Sequence, residues 1–261
     1  MRKLFRFLLG LAACGVLLFS GVNLAAYIRE SNQSNRLNEN LVKEAVVVKE
    51  VVTQSDNSES TLEEKTDAEQ ISIEAAPIEV DFEVLLETNS DVVGWLYCED
   101  TPINFPVVQG EDNDYYLRRM IDKTWNSSGT LFVDYRNAND FTDGNTVIYG
   151  HNMKNKGMFG TLSNYKEQSY FEEHPVMWLL TPEANYKVEL VAGYVTSSTS
   201  GIYSFGLSEE DIFALVEEAI RQSTFLSDFQ TSQGDEFLTL STCSYEYDNA
   251  RYVLLGRLIP S

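Results

Sequence analysis

The sequence predicts a mainly β fold, a closed barrel of eight strands with peripheral helices, on three observations. Eight short runs rich in Val, Ile, Leu, Thr, Tyr and Phe alternate with turn-forming clusters from residue 94 onward. One segment, 208–222, breaks that rhythm with apolar residues at helical spacing. Aromatic residues become frequent only from about Val80, after a polar stretch that has none, so a packed core begins there.

Taken in order, Asp81–Glu87 reads as an entry helix. The strands follow at 94–97, 107–108, 130–134, 146–149, 176–180, 186–196, 236–242 and 252–258. Turns are marked by Gly110–Asn113, Asn126–Gly129, Asn137–Asp140 and Asp143–Gly144. In the helical segment, Ile212, Leu215, Val216, Ala219 and Ile220 share a face. Ser208 is its N-cap, and acids occupy the first turn, where the helix dipole favours them.

The N-terminal third has a different logic. Residues 1–6 are basic, 7–28 are apolar without a charge, 29–78 read as an acidic polar stalk, and 79–261 read as one folded domain. About 20 apolar residues cross a bilayer as a helix, so 7–28 reads as an uncleaved single-pass anchor. Arg2, Lys3 and Arg6 before it leave the N-terminus cytoplasmic and the rest outside the cell. A cleaved signal peptide is the alternative, since Asn23–Tyr27 carries small residues. Lipidation at Leu11-Ala-Ala-Cys14 is weaker, because the apolar run continues well past Cys14. The stalk cannot bury a core alone and reads as flexible, with a helical stretch at Asn38–Glu44. If wholly flexible, it spans roughly 40 Å r.m.s..

The chain of 261 residues carries a formal net charge of −21 and is 43% hydrophobic. Nucleic acid and anionic membrane surfaces are poor partners for such a charge, since binding phosphates needs clustered Lys and Arg. With no Cys-x-x-Cys, no Cys/His cluster and no EF-hand-like loop, neither a metal nor a cofactor is expected.

Chemistry concentrates in Phe237–Arg257. A strand delivers Cys243 to its open end, Asp248-Asn249 turns the chain, and a return strand opens with Arg251. A thiol beside a fixed cationic fork makes a nucleophile with an oxyanion partner. Ser241, Thr242, Ser244, Glu246 and Asp248 give the cysteine a polar rim, unlike the apolar pocket of an inert core thiol. A cysteine nucleophile needs a proton-transfer partner, and the chain has two histidines. His151 ends the β-branched run Asn145–Gly150, where scaffolds present reactive groups, whereas His174 precedes Pro175 in an acidic surface loop. Cys98 is read as a strand residue without a role. It must stay free, because a bridge from Cys98 to Cys243 silences the nucleophile.

These motifs carry a resemblance. Thr239-Leu-Ser-Thr-Cys243 with Ala250-Arg251 and Gly256-Arg257-Leu258 resembles the signature of sortases, and Ile148-Tyr-Gly-His151-Asn-Met153 resembles their histidine segment. Val92–Leu96, Ile103–Gln109, Asp114–Leu117 and Gly129–Arg136 are similar, in the same order, to class B. The resemblance covers about residues 81–259 and implies the sortase-type barrel, with a helix before the cysteine strand. It also implies a transpeptidase without a cofactor. Cys243 attacks the carbonyl after threonine in an Asn-Pro-X-Thr-X-like sorting motif of a secreted surface protein, and His151 serves as general acid and base. Arg251 steadies the oxyanion or substrate, and the acyl group passes to an amine of peptidoglycan or its lipid-linked precursor. Ser241 and Thr242 line the groove by chain position. Three alternatives stay open: a pilin-polymerising sortase, a hydrolytic cysteine peptidase and a non-catalytic anchored binding module.

Overall fold

The computed structural model describes residues 2–49 and 75–261. The long helix α1 (Arg2–Ala45) leads into strand β1 (Val46–Val48), which pairs antiparallel with β2 (Ile78–Val80). Helix α2 (Phe82–Thr88) follows, capped by the Asp81 carboxylate, which accepts from the backbone N–H groups of Glu83 and Val84. The barrel strands are β3 (Val92–Tyr97), β4 (Asn104–Gln109), β5 (Leu131–Val133), β6 (Asn145–Tyr149), β7 (Val176–Leu180), β8 (Asn185–Ser197), β9 (Glu236–Cys243) and β10 (Ala250–Pro260). Two more helices, α3 (Gln168–Glu173) and α4 (Glu209–Gln222), flank β7 and β9 in the chain.

The barrel closes in the order β10-β8-β7-β3-β4-β5-β6-β9, so the eight-stranded reading holds. Two pairings are parallel, β4 with β5 and β6 with β9. The second matters most for the site, because β6 and β9 both deliver their C-terminal ends to the same rim.

Period-2 alternation gives the strands an inward and an outward face, and their apolar residues fall in three clusters. Leu238, Leu240, Tyr252 and Leu254 point into the barrel with Leu96, Val107, Ile148 and Leu179. Phe237, Val253 and Leu255 point outward and are covered by Ile212, Val216 and Ala219 of α4. Helix α4 begins in a reciprocal capping box: Ser208 Oγ accepts from the Asp211 N–H and the Asp211 carboxylate accepts from the Ser208 N–H.

The predicted flexible stalk needs correction over residues 29–49, while 50–74 lie outside the described residues. Leu41 and Ala45 of α1, four residues apart, are buried with Ile78, Leu85, Trp95 and Tyr116, and Leu37 packs beside them. Polar clasps add to this: Asn126 Nδ2 donates to the Glu30 carbonyl at 3.0 Å, and Asn155 Nδ2 to Ser31 Oγ at 2.8 Å. The short helix expected at Asn38–Glu44 is thus the docked end of a much longer one. The apolar run 7–28 lies within α1, with Val16 to Phe19, Val22 and Leu24 exposed. Among the described residues no helix is long and apolar enough to cross a membrane.

Candidate active site

β9 and β10 pair with Cys243 directly opposite Arg251, the hairpin expected from sequence. The turn between them uses Asn249 at φ 62, the left-handed region that asparagine tolerates better than most residues. Cross-strand partners project to the same face, so the thiol and the guanidinium share one side of the barrel wall.

His151 is brought alongside by β6. Tyr149 stands opposite Ser241 in the parallel pairing, and the Gly150 N–H donates to the Ser241 carbonyl at 3.1 Å. Gly150 is required by space: a Cβ there would lie 2.5 Å from Leu131 Cδ2 and 2.6 Å from Phe159 Cδ2. Two side chains then staple the two strand ends. Thr242 Oγ1 donates to the Gly150 carbonyl at 2.8 Å, and Asn152 Nδ2 donates to the Cys243 carbonyl at 2.8 Å.

His151 Nε2 lies 2.7 Å from the Leu117 carbonyl oxygen. A carbonyl only accepts, so Nε2 carries the hydrogen, and Nδ1 is the nitrogen left to exchange a proton. The imidazole is thus held in one tautomer by the turn Tyr115–Arg118.

Cys243, His151 and Arg251 all line one cleft of about 480 Å³, together with Ser241, Thr242 and Tyr203. Its floor is a row across β5, β6 and β9, formed by Phe132, Tyr149 and Ser241. The opposite wall comes from the connection between β8 and α4, including Ser198–Ser200 and Tyr203. Arg251 Nη1 donates to the Ala250 carbonyl at 3.0 Å, and among the described residues it has no carboxylate partner. Its charge is therefore available to the cleft. All three cysteines are free, with Cys98 buried and Cys243 partly exposed, so no bridge ties up the thiol.

The hydroxyls of Ser241 and Thr242 are already occupied. Ser241 Oγ shares a 2.9 Å hydrogen bond with Tyr203 OH, and Thr242 is spent on the staple to Gly150. Both residues shape the groove, and both side chains are almost fully buried. Tyr203 was not singled out from the sequence, nor were Leu117, Asn152 and Arg136 given roles. Burial pushes the Tyr203 phenol up to about 12, so it stays a neutral hydrogen-bonding group. His174 sits elsewhere, at the C-terminal end of α3 with its ring 4.6 Å from that of Tyr170.

A charged assembly borders the cleft through Arg136. Asp134 is almost fully buried, and Arg136 grips it through a fork, Nε to Oδ1 at 2.8 Å and Nη2 to Oδ2 at 2.7 Å. Tyr149 OH also donates to Oδ2 at 2.9 Å. Burial raises the Asp134 pKa, but the Arg136 side chain and backbone N–H with the Tyr149 hydroxyl more than offset this and hold it below the usual carboxylate range.

Comparison with known proteins shows the family of the chain. The sortase domain family matches residues 96–259. The chain belongs to the sortase family. Within it, the Sortase B of Listeria monocytogenes is 33% identical over 96% of this chain and 95% of its own. The Sortase B of Staphylococcus aureus is 30% identical over 68% of this chain and 74% of its own. The structure of a Staphylococcus aureus sortase B-substrate complex superimposes with a TM-score of 0.65, covering 69% of this chain and 84% of that one. The protein is a class B sortase, and it is a cysteine transpeptidase that anchors surface proteins.

Proposed function

We propose that Cys243 is the nucleophile, His151 the proton carrier and Arg251 the oxyanion or substrate clamp of this transpeptidase. The observation that carries the reading is the convergence of all three on one cleft, with Cys243 and Arg251 opposite each other across a strand pair. The Cys243 thiolate attacks the carbonyl carbon after threonine in an Asn-Pro-X-Thr-X-like motif. The tetrahedral oxyanion lies within reach of the Arg251 fork, which supplies planar paired donors. Collapse breaks the peptide bond, and the departing nitrogen takes a proton from His151 Nδ1. An acyl-thioester remains on Cys243. An incoming amine gives a proton back to Nδ1, attacks the thioester and displaces the thiolate, which leaves a new amide bond.

The acceptor in this reading is an amine of peptidoglycan or its lipid-linked precursor, and the donor is a secreted surface protein. The apolar run 7–28, flanked on its N-terminal side by Arg2, Lys3 and Arg6, anchors the chain with the barrel outside the cell. The exposed apolar side chains between Val16 and Leu24 support that placement, since they are an unfavourable surface for water.

A competing-amine assay tests transfer against hydrolysis. A labelled sorting peptide and a small primary amine are mixed with the full chain in detergent. The expected product is peptide joined to the amine, in a yield that rises with amine concentration. Cleavage to the free acid at a yield indifferent to amine would make the protein a peptidase.

A further inference from the structure

Helix α1 runs from the apolar segment onto the barrel without a break, and this fixes how high the barrel stands. Residues 13–29 are exposed, and at Glu30 and Ser31 the helix meets two loops. The Glu30 carbonyl accepts from Asn126, its carboxylate accepts from Ser127 Oγ, and Ser31 Oγ accepts from Asn155. Further along, Asn38 Nδ2 donates to the Asn104 carbonyl at 3.1 Å, and Leu41 and Ala45 are buried beside Trp95 and Tyr116. The barrel therefore lies along the helix from residue 30 onward, and the loops at 126–127 and 155 meet α1 next to the apolar run.

Elementary distances place those loops. Ser31 is three residues past Ile28, about 4.5 Å of helix rise. The polar headgroup layer on each side of a bilayer is about 5–8 Å deep. With 7–28 in the bilayer, the two loops stand at headgroup level. Tyr27 sits where aromatic side chains commonly mark that level.

The charge of the loops is opposite to that of the chain. The chain has 40 acidic and 19 basic residues, yet 115–128 and 151–158 carry Arg118, Arg119, Lys123, Lys154 and Lys156 against one acid, Asp122. Two of these cations are engaged: Lys123 pairs with Asp91 at 2.9 Å, and Arg119 lies over the Tyr115 ring, 4.7 Å from its centroid. Arg118, Lys154 and Lys156 are exposed and have no carboxylate partner among the described residues. Trp125, next to Asn126, is 54% exposed. An indole is amphipathic and favours the headgroup boundary. Each cation near an anionic bilayer surface strengthens contact roughly 5-fold. The overall charge disfavours such a surface, and these loops reverse that locally.

We propose that residues 118–127 and 152–157 form a membrane-contacting rim, with Arg118, Lys154 and Lys156 on anionic lipid headgroups and Trp125 at the headgroup boundary. This goes beyond the transpeptidase reading and rests on the reading of 7–28 as an anchor. Leu117 and His151 adjoin the rim, so the cleft opens within a few residues of the bilayer face.

The test places the full chain in vesicles of phosphatidylcholine and phosphatidylglycerol, with a nitroxide on a fraction of the lipid headgroups. Trp95 and Trp178 are buried, so Trp125 is the exposed reporter. Flotation first measures insertion. In the floated chain the headgroup nitroxide is expected to quench tryptophan emission, and that quenching is lost in Trp125→Phe. The rim variant Lys154→Gln, Lys156→Gln should weaken the contact equilibrium roughly 5-fold for each cation removed, and the quenching falls with it. The control variant Lys43→Gln, Lys49→Gln has the same net charge and keeps the quenching. In 1 M salt, where the Debye length is about 3 Å, the native chain should fall to the level of the rim variant. A floated chain whose emission ignores the headgroup nitroxide, or equal quenching in the rim and control variants, overturns the rim and leaves the anchor standing. A chain that does not float overturns the anchor reading and the rim with it.

Discussion

Two cysteines of this chain sit in the barrel wall and its margin, and their surroundings make them different chemical groups. Cys98 follows β3 and is fully buried among Ile103, Tyr165 and Met177. Its sulfur is 3.7 Å from Tyr165 OH and 3.7 Å from the Val176 carbonyl. Burial pushes its thiol pKa up, the bonds to Thr101 and Tyr165 offset only part of this, and Glu99 and Asp100 push it further. Cys243 ends its strand at an open cleft, with a guanidinium opposite and an imidazole stapled alongside. In the proposed reading, reactivity is a property of the strand end and of its neighbours, because the residue type is the same in both places.

The contrast can be broken first at the cation. Arg251→Lys keeps the charge but loses the planar fork, and kcat/KM for transfer is expected to fall about 10–100-fold. Steady-state kinetics showing nearly full turnover would remove bidentate recognition from the account. A smaller effect is expected at the staple. Asn152→Ala frees the loop after His151 from the Cys243 carbonyl, and kcat should drop about 3–10-fold with KM little changed. A thermal melt of the same variant should shift by only a few degrees, which separates positioning from unfolding.

Cys98 supplies the converse. Cys98→Ala removes a core sulfur and should lower stability by about 1–2 kcal/mol while leaving kcat within about 2-fold, as chemical denaturation and kinetics together will show. Native-state alkylation should mark Cys243 and spare Cys98, and denaturation should expose both.

The smallest effect concerns acid. The folded pKa of Asp134 lies below its unfolded value, so its contribution to stability is present above about pH 4 and is lost as pH falls through the folded pKa. Asp134→Asn should cost about 1–2 kcal/mol near pH 7, discounted for the partial exposure of Arg136. The gap from wild type should close in denaturation curves as pH falls below the ordinary aspartate range. A constant gap down to pH 2 would show that packing, not charge, holds the assembly.

Much of this site was legible in the sequence because its parts are local. The β9–β10 hairpin announces itself through two β-rich runs and Asp248-Asn249, and Cys243 and Arg251 fall opposite each other once that turn is placed. With only two histidines, position at a strand end sufficed to choose His151. What escaped depends on long-range pairing. The parallel contact of β6 with β9 leaves no mark on either strand, yet it alone brings Gly150 beside Ser241. Tyr203 and Leu117 arrive from connections whose paths no spacing dictates. Residues 29–45 read as a stalk because their apolar content is low, and their helix is stabilised by docking Leu41 and Ala45 against the barrel. Arg136 had a visible signal, the Asp134-Tyr-Arg136 spacing at a predicted strand end, but only the structure shows that Arg136 pairs with Asp134 and lines the cleft.

Intact-mass measurement of the full chain mixed with a sorting peptide and no added amine tests the central assignment most directly. The account predicts one adduct per chain, equal in mass to the peptide up to its threonine less one water, mapped by digestion to the fragment containing Cys243 and absent from Cys243→Ala. An adduct on Cys98, or peptide cleavage that persists in Cys243→Ala, would contradict it.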